Sequence, residues 1–349
     1  MNQPEQQQLL RHLPGVDAVL QHQQVVAWQR RHPRALVVDV VRQAVNEVRR
    51  EILAGRITCA DHVDQDAVAA RAGDILAHRT QPHVRGAINA TGIILHTALG
   101  RAVWADGVVD GLASELKGYC TLAIDRESGK RSERHERLEY ILTEMTGAEA
   151  SVVVNNNAAA TMLVLAAMAG GGECIVSRGQ LIEIGGSFRL PDVMQLSRAR
   201  LHEVGTTNRT HLRDYAAAIN DDTRAILRVH PSNYRIMGFA GQPSLDDLVG
   251  LAHENDLPLI DDLGAGALIR LEEFGLPHEP TMAESIKAGA DIVLASADKL
   301  IGAAQGGVIV GRLDLIRTIR RHPLYRAMRV DKSCLMVLER TLMLFRDID

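Results

Sequence analysis

The 349-residue chain is 46% apolar and 23% charged, with a net charge of −4. These globular values exclude a disordered, collagen-like or disulfide-framework polypeptide, and a surface that is basic all over. The length suits one large domain plus a smaller one, and Cys59, Cys120, Cys174 and Cys334 form no CxxC pair or zinc-finger spacing, so they read as buried thiols with no metal site.

The first eight residues are polar and Gln-rich, without the cationic start and apolar run of a secretory signal. Residues 1–85 read as helical, with Val37, Val38, Val41, Val45, Val48 and Ile52 at helical spacing. This segment carries eleven arginines and no lysine against nine carboxylates, a balance of +2. Arg30, Arg31, Arg34, Arg42, Arg49, Arg50 and Arg56 suit a phosphate-binding face or, on charge alone, a solvated helix surface.

Residues 86–320 form the expected large domain. From residue 149 onward, short apolar runs alternate with amphipathic stretches. Strands are expected at 150–154, 173–177, 200–204, 225–230, 258–262, 291–296 and 307–310. Such alternation predicts an α/β fold with a mainly parallel seven-stranded sheet covered by helices, in which ligands bind beyond the carboxyl ends of the strands. The longest apolar stretch, residues 158–169, is too short to span a bilayer. A soluble, cytoplasmic protein is expected. Residues 321–349 read as a helical segment.

Three strand ends carry chemistry. Asn155, Asn156, Asn157 and Ala158 follow the first strand and open a helix, which fits a phosphate cradle or a simple Asn-capped helix. Asp261 and Asp262 end the strand at 258–262 beside glycines, where a carboxylate can hold a protonated ring nitrogen, bind a metal ion or cap the chain. Ser296, Ala297, Asp298 and Lys299 close the strand at 291–296. Only five lysines occur in the whole sequence, and Lys299 alone follows a buried strand, where desolvation favours the free amine. Phosphate cradle, acid and lysine in this order suit pyridoxal phosphate, with His230, Ser232 and Asn233 offering contacts to its ring hydroxyl.

The segments INATG at 88–92, LHTALGR at 95–101, VNNNAAA at 154–160, VSRG at 176–179, IEIGGSFR at 182–189, EVGTTN at 203–208, SNY at 232–234 and SADKLIGAAQ at 296–305 carry a more specific signal. So does the run from His322 through Arg326, Arg329, Asp331 and Lys332. Together, from about Leu13 to the end, they resemble the bacterial selenocysteine synthases, the L-seryl-tRNA(Sec) selenium transferases.

The resemblance implies a fold-type I pyridoxal phosphate-dependent transferase preceded by a helical, tRNA-contacting domain, assembled as a homo-oligomeric ring of dimers. It implies that Lys299 is the Schiff-base lysine, Asp262 the ring-nitrogen partner and Asp298 the residue beside the lysine. Arg101, Arg326 and Arg329 are implied as the anion-binding arginines, with Asn156, Asn157, Ala158, Ser232, Asn233 and Ser296 around the cofactor. The implied reaction converts seryl-tRNA(Sec) to selenocysteyl-tRNA(Sec) with selenophosphate, through an aminoacrylyl intermediate. Family members continue into a C-terminal domain, so residues 321–349 are expected to be only its start. A pyridoxal phosphate lyase or β-replacement enzyme acting on a small amino acid, and a non-catalytic paralogue, are the alternative readings.

Overall fold

A computed structural model describes residues 3–132, 134, 136–186 and 188–347. Residues 1–2, Ser187 and residues 348–349, which fall in stretches named above, lie outside them. The chain divides into two compact units, Met1–Ile88 and Asn89–Asp349, three residues beyond the boundary expected at 85.

The first unit is built from helices Gln3–His12, Val16–Leu20, Gln23–Gln29, Arg34–Leu53 and Gln65–Thr80. Val37, Val41, Ala44, Val45, Val48 and Ile52 repeat every three or four residues, so they form one stripe along Arg34–Leu53. That stripe packs against Val68, Ala69 and Ala72 of Gln65–Thr80. Asp64 starts the latter helix by accepting a hydrogen bond from the Ala67 amide at 2.7 Å. All seven arginines expected to form a basic face are exposed.

In the second unit, strands β1 (Ala150–Val154), β2 (Glu173–Ser177), β5 (Arg200–Val204), β6 (Thr223–Val229), β7 (Leu259–Gly264), β8 (Ile292–Ser296) and β9 (Gly307–Gly311) form one sheet in the order β1-β9-β8-β7-β6-β2-β5. The pairs from β8 through β5 are parallel, and β9 runs antiparallel to both β1 and β8. The mainly parallel seven-stranded sheet read from the sequence is therefore present. Strands β1, β2 and β5 have the expected ranges, and the other four differ by at most two residues at either end. A small hairpin, β3 (Glu183–Ile184) with β4 (Phe188–Arg189), was not foreseen.

Period-two alternation divides the sheet between two cores. Val153, Val293, Ala295, Val308 and Val310 face helices Glu136–Thr146, Leu245–Glu254 and Lys332–Leu344, which supply Leu138, Ile141, Leu142, Leu248, Leu335 and Leu338. Val152, Val154, Ile292, Leu294 and Ile309 face Asn157–Met168 and Leu313–Arg321, which supply Leu163, Val164, Ile316 and Ile319. The closing helical segment thus packs within the same unit as the sheet.

Gly307 in β9 shows why side-chain volume matters at this end of the sheet. A Cβ there would lie 2.3 Å from the Asn156 carbonyl oxygen. Gly307→Ala should cost about 1–3 kcal/mol of stability, the usual penalty of overpacking against rigid backbone. A urea midpoint equal to that of the unsubstituted protein would refute this close packing.

Candidate active site

Val154, Gly307 and Ser296 pair in one cross-strand row at the carboxyl ends of β1 and β8. Beyond β1, Asn156 adopts extended backbone and its side chain accepts from the Ala159 amide at 2.8 Å, starting helix Asn157–Met168. Of the two sequence readings of this stretch, the cap is the one observed, while a helix N-terminus of this kind is also the geometry that a phosphate cradle requires.

Asn157 serves a further purpose. Its Nδ2 donates to Asp262 Oδ1 at 2.8 Å, while Thr161 Oγ1 donates to Asp262 Oδ2 at 2.8 Å and the Gly264 amide donates to Oδ1 at 3.0 Å. Asp262 is only 5% exposed. Burial pushes its carboxyl above the usual range, against the opposing pull of Asn157, Thr161, Gly264 and the Lys299 charge. Asn157 Oδ1 is buried without a partner among the described residues, a vacancy in hydrogen bonding beside the acid.

Asp261 and Asp262 face opposite sides of β7, as successive strand residues must. Asp261, fully buried, pairs with Arg228 Nη1 at 2.6 Å and accepts from Ser285 Oγ at 2.7 Å. Its partners are internal, whereas Asp262 lies on the side of β7 that Asn157 and Thr161 reach. Among the described residues, no group of three or more His, Cys, Asp or Glu side chains is placed to hold a metal ion.

Lys299 follows β8 in a tight turn in which the Gly302 amide donates to the Lys299 carbonyl at 3.0 Å. Its ammonium pKa is lowered, chiefly by burial and then by the Arg101 charge, while Asp262 and Asp298 pull the other way. Asp298 is 7% exposed and pairs with Arg101 Nη1 at 2.8 Å. Arg101 itself sits at φ 63°, an unusual conformation for a residue with a Cβ. Its amide donates to the His96 carbonyl at 3.0 Å, and the Ala102 amide donates to the Asp298 carbonyl at 3.3 Å. Two backbone bonds and an ion pair thus hold Arg101 beside Lys299.

The remaining expected residues are placed as follows. Ser296 is buried at the end of β8, and Ser232 and Asn233 are exposed on the loop after β6. Ser232 Oγ would be 3.1 Å from a Cβ on Gly264, which sets that loop against the end of β7. His230 Nε2 lies 3.3 Å from Glu279 Oε1, and burial is the main force lowering its pKa. Arg326 and Arg329 line a separate cavity of about 420 Å³ together with Arg131 and Arg134. Arg101, expected to join them, is instead engaged with Asp298. Sequence reading missed Thr161, whose hydroxyl reaches Asp262 from 101 positions away.

Among solved structures, the fold is similar to that of D-glucosaminate-6-phosphate ammonia-lyase, with a TM-score of 0.58 at 24% identity over 72% of this chain and 66% of that one. An aspartate aminotransferase double mutant from Thermus thermophilus gives 0.51 at 16% identity, over 70% and 63%. The architecture is that of the fold-type I pyridoxal phosphate-dependent enzymes.

Sequence comparison is more specific. Residues 87–349 match the family described as L-seryl-tRNA selenium transferase, and residues 10–49 match its selenocysteine synthase N-terminal region. The L-seryl-tRNA(Sec) selenium transferase of Desulfomicrobium baculatum is 46% identical over 97% of this chain and 73% of that protein. The one from Solidesulfovibrio magneticus is 48% identical over 98% and 73%. The chain belongs to the L-seryl-tRNA selenium transferase family and spans about three quarters of the length of these relatives.

Proposed function

We propose that this chain converts seryl-tRNA(Sec) to selenocysteyl-tRNA(Sec), using pyridoxal phosphate held between helix Asn157–Met168, Asp262 and Lys299, and selenophosphate as the selenium donor. The observation that carries the reading is the convergence of a helix N-terminus, a buried acid with polar support and a pKa-lowered lysine at one row of strand ends. The donor set fits the cofactor: backbone amides for its phosphate, Asp262 for its ring nitrogen, an unpartnered Asn157 Oδ1 nearby, and a free amine for its aldehyde.

Bound there, pyridoxal phosphate supplies an electron sink for charge developing at the carbon that bears the substrate amine. Asp262, kept in place by Asn157, Thr161 and Gly264, holds the ring nitrogen. Lys299 Nζ, with its lowered pKa, takes the proton from the seryl α-carbon and can return it. Arg326 and Arg329, as planar bidentate donors, receive the anionic selenium donor. Arg101 holds Asp298 and, through its charge, favours the neutral amine of Lys299.

The exposed arginines of the N-terminal unit contact the tRNA. Replacing Arg49 and Arg50 by Ala should weaken tRNA binding and lower the salt slope by about one to two, since each phosphate contact contributes about 0.7–0.9. An unchanged slope would remove both residues from the interface. Large apolar side chains left facing solvent in the second unit, including Ile94, Val103, Met237 and Phe239, support assembly as a homo-oligomer, in the manner of a ring of dimers. No helix among the described residues is long and apolar enough to cross a membrane, which is in keeping with a cytoplasmic enzyme.

The deciding experiment is the visible spectrum of the purified protein with pyridoxal phosphate, before and after addition of seryl-tRNA(Sec) and of free serine. A band that responds to the charged tRNA alone is expected. A response to free serine alone would transfer the site to a small-molecule lyase or β-replacement enzyme, and no band at all would mark a non-catalytic paralogue.

A further inference from the structure

Arginine is abundant in this protein, but it is not spent evenly. Many arginines of the second unit are neutralised: Arg101 by Asp298, Arg178 by Glu203, Arg200 by Asp222, Arg228 by Asp261, Arg312 by Asp291 and Arg340 by Glu115. Others, among them Arg126, Arg198, Arg209, Arg213, Arg224 and Arg235, make no ion pair among the described residues, and along the edge of the sheet beside β1 six such arginines gather. Arg131, Arg134, Arg317, Arg321, Arg326 and Arg329 make no ion pair among the described residues.

These six lie on one continuous surface. Arg317 and Arg321 line a depression with Arg320, and Arg320 also lines the cavity that contains Arg131, Arg134, Arg326 and Arg329. Arg320 itself turns inward, pairing with Glu139 and donating to the Ser151 carbonyl, both at 2.6 Å. It fastens the strip to the edge strand. Further along, the Asn155 amide donates to the Met328 carbonyl at 2.9 Å, and Arg329 bridges Val154.

The strip therefore ends beside the active site. Arg329, Val154, Gly307 and Ser296 occupy one row across the sheet. At about 4.8 Å per strand, the Arg329 backbone is roughly 14 Å from Ser296, at the base of the Lys299 turn. At its other end, Arg317 and Arg321 are four residues apart, one turn on the same helix face, where like charges repel. Glu136 lies in the same depression and pairs with neither among the described residues. A row of uncompensated cations that costs helix stability and leads to a catalytic pocket has the form of a backbone track for a polyanion.

We propose that Arg131, Arg134, Arg317 and Arg321 form a phosphate track for the unpaired 3′ end of the tRNA, guiding the aminoacylated terminus past Arg326 and Arg329 towards Lys299. The inference rests on the tRNA-dependent reading above. It assigns to the catalytic unit a polynucleotide surface of its own, apart from the basic face of the N-terminal unit. Arginine suits the task because its flat guanidinium engages phosphate oxygens two at a time and stacks on unpaired bases.

The test uses the full chain with Arg317→Ala and Arg321→Ala combined, and two forms of the tRNA: complete, and trimmed of its unpaired 3′ end. Binding is followed by fluorescence anisotropy across a salt series. The unsubstituted protein should bind the complete tRNA more tightly than the trimmed one. The double variant should lose that preference, with its salt slope on complete tRNA lower by about 1.4, two contacts at about 0.7 each for a single strand. Arg317→Lys with Arg321→Lys keeps the charge and should retain most of the preference, which separates a phosphate contact from a folding defect. Equal behaviour of the double alanine variant and the parent would overturn the track, and so would an equal loss on both tRNAs, which would place these arginines on the tRNA body. If the parent protein binds neither tRNA, the tRNA-dependent function itself fails rather than the track alone.

Discussion

Lys299→Ala should give a folded protein that no longer develops the visible absorption of lysine-linked pyridoxal phosphate and no longer turns over. The residue's place in the fold makes folding survival the expected outcome. Lys299 lies after β8 rather than within it, and its one described local bond is made by its backbone carbonyl to the Gly302 amide, which alanine preserves. Removing a half-buried ammonium also removes a desolvation cost.

On the proposed reading the chemical loss has two parts, attachment of the cofactor and proton transfer at the α-carbon. Proton transfer by a positioned base alone contributes about 10²–10⁴-fold. Small primary amines added to the alanine variant should restore part of the turnover, in proportion to the free-base fraction. A variant that kept the absorption band would assign the cofactor to another lysine. Of the four others, Lys332 is exposed enough to donate to the Gly118 carbonyl at 3.1 Å, and none follows a strand of the sheet.

The position of Lys299 just past a buried strand was legible in the sequence, because the chain offers few amines and only this one follows a buried apolar run. Strands β1 and β8 were legible from their composition: residues 150–154 and 292–296 are wholly apolar or small and are buried throughout. Hairpin β3–β4 was not, since two-residue strands carry no periodicity to detect. The support of Asp262 was hidden for a different reason. Asn157 and Thr161 reach it from more than 100 positions away, and only the pairing of β1 to β9, β9 to β8 and β8 to β7 brings the helix start over the end of β7. The unpaired arginines beside β1 share that obscurity, because charge runs show in sequence but missing counter-charges show only in space.

The two adjacent carboxylates of β7 should respond in opposite ways to substitution. Asp261→Ala leaves the largely covered Arg228 guanidinium without its 2.6 Å partner and the Ser285 hydroxyl without its buried acceptor. Breaking a buried pair from one side costs about 3–5 kcal/mol, so a large fall in the urea midpoint is expected. Asp262→Asn should instead leave the cofactor-free protein about as stable as before. Asparagine can keep its oxygen towards Asn157 Nδ2 and the Gly264 amide, and donate from its nitrogen to Thr161 Oγ1.

The pH dependence follows from the raised carboxyl pKa of Asp262. Between the unfolded value and the raised folded one, the native state binds more protons than the unfolded chain. The Asp262 contribution is therefore most favourable at acid pH and is lost as pH rises through that window. The asparagine variant lacks this loss, so its stability relative to the parent should improve from pH 4 towards neutrality. Its turnover should nevertheless fall by at least about 100-fold, the scale on which one aligned polar partner acts in a closed site, because in the proposed site the ring nitrogen would lose its charged partner. Were Asp262→Asn to destabilise the apo-protein as much as Asp261→Ala while sparing turnover, the two residues would have to exchange roles, and the acid facing the cofactor would be the one on the Arg228 side of the sheet.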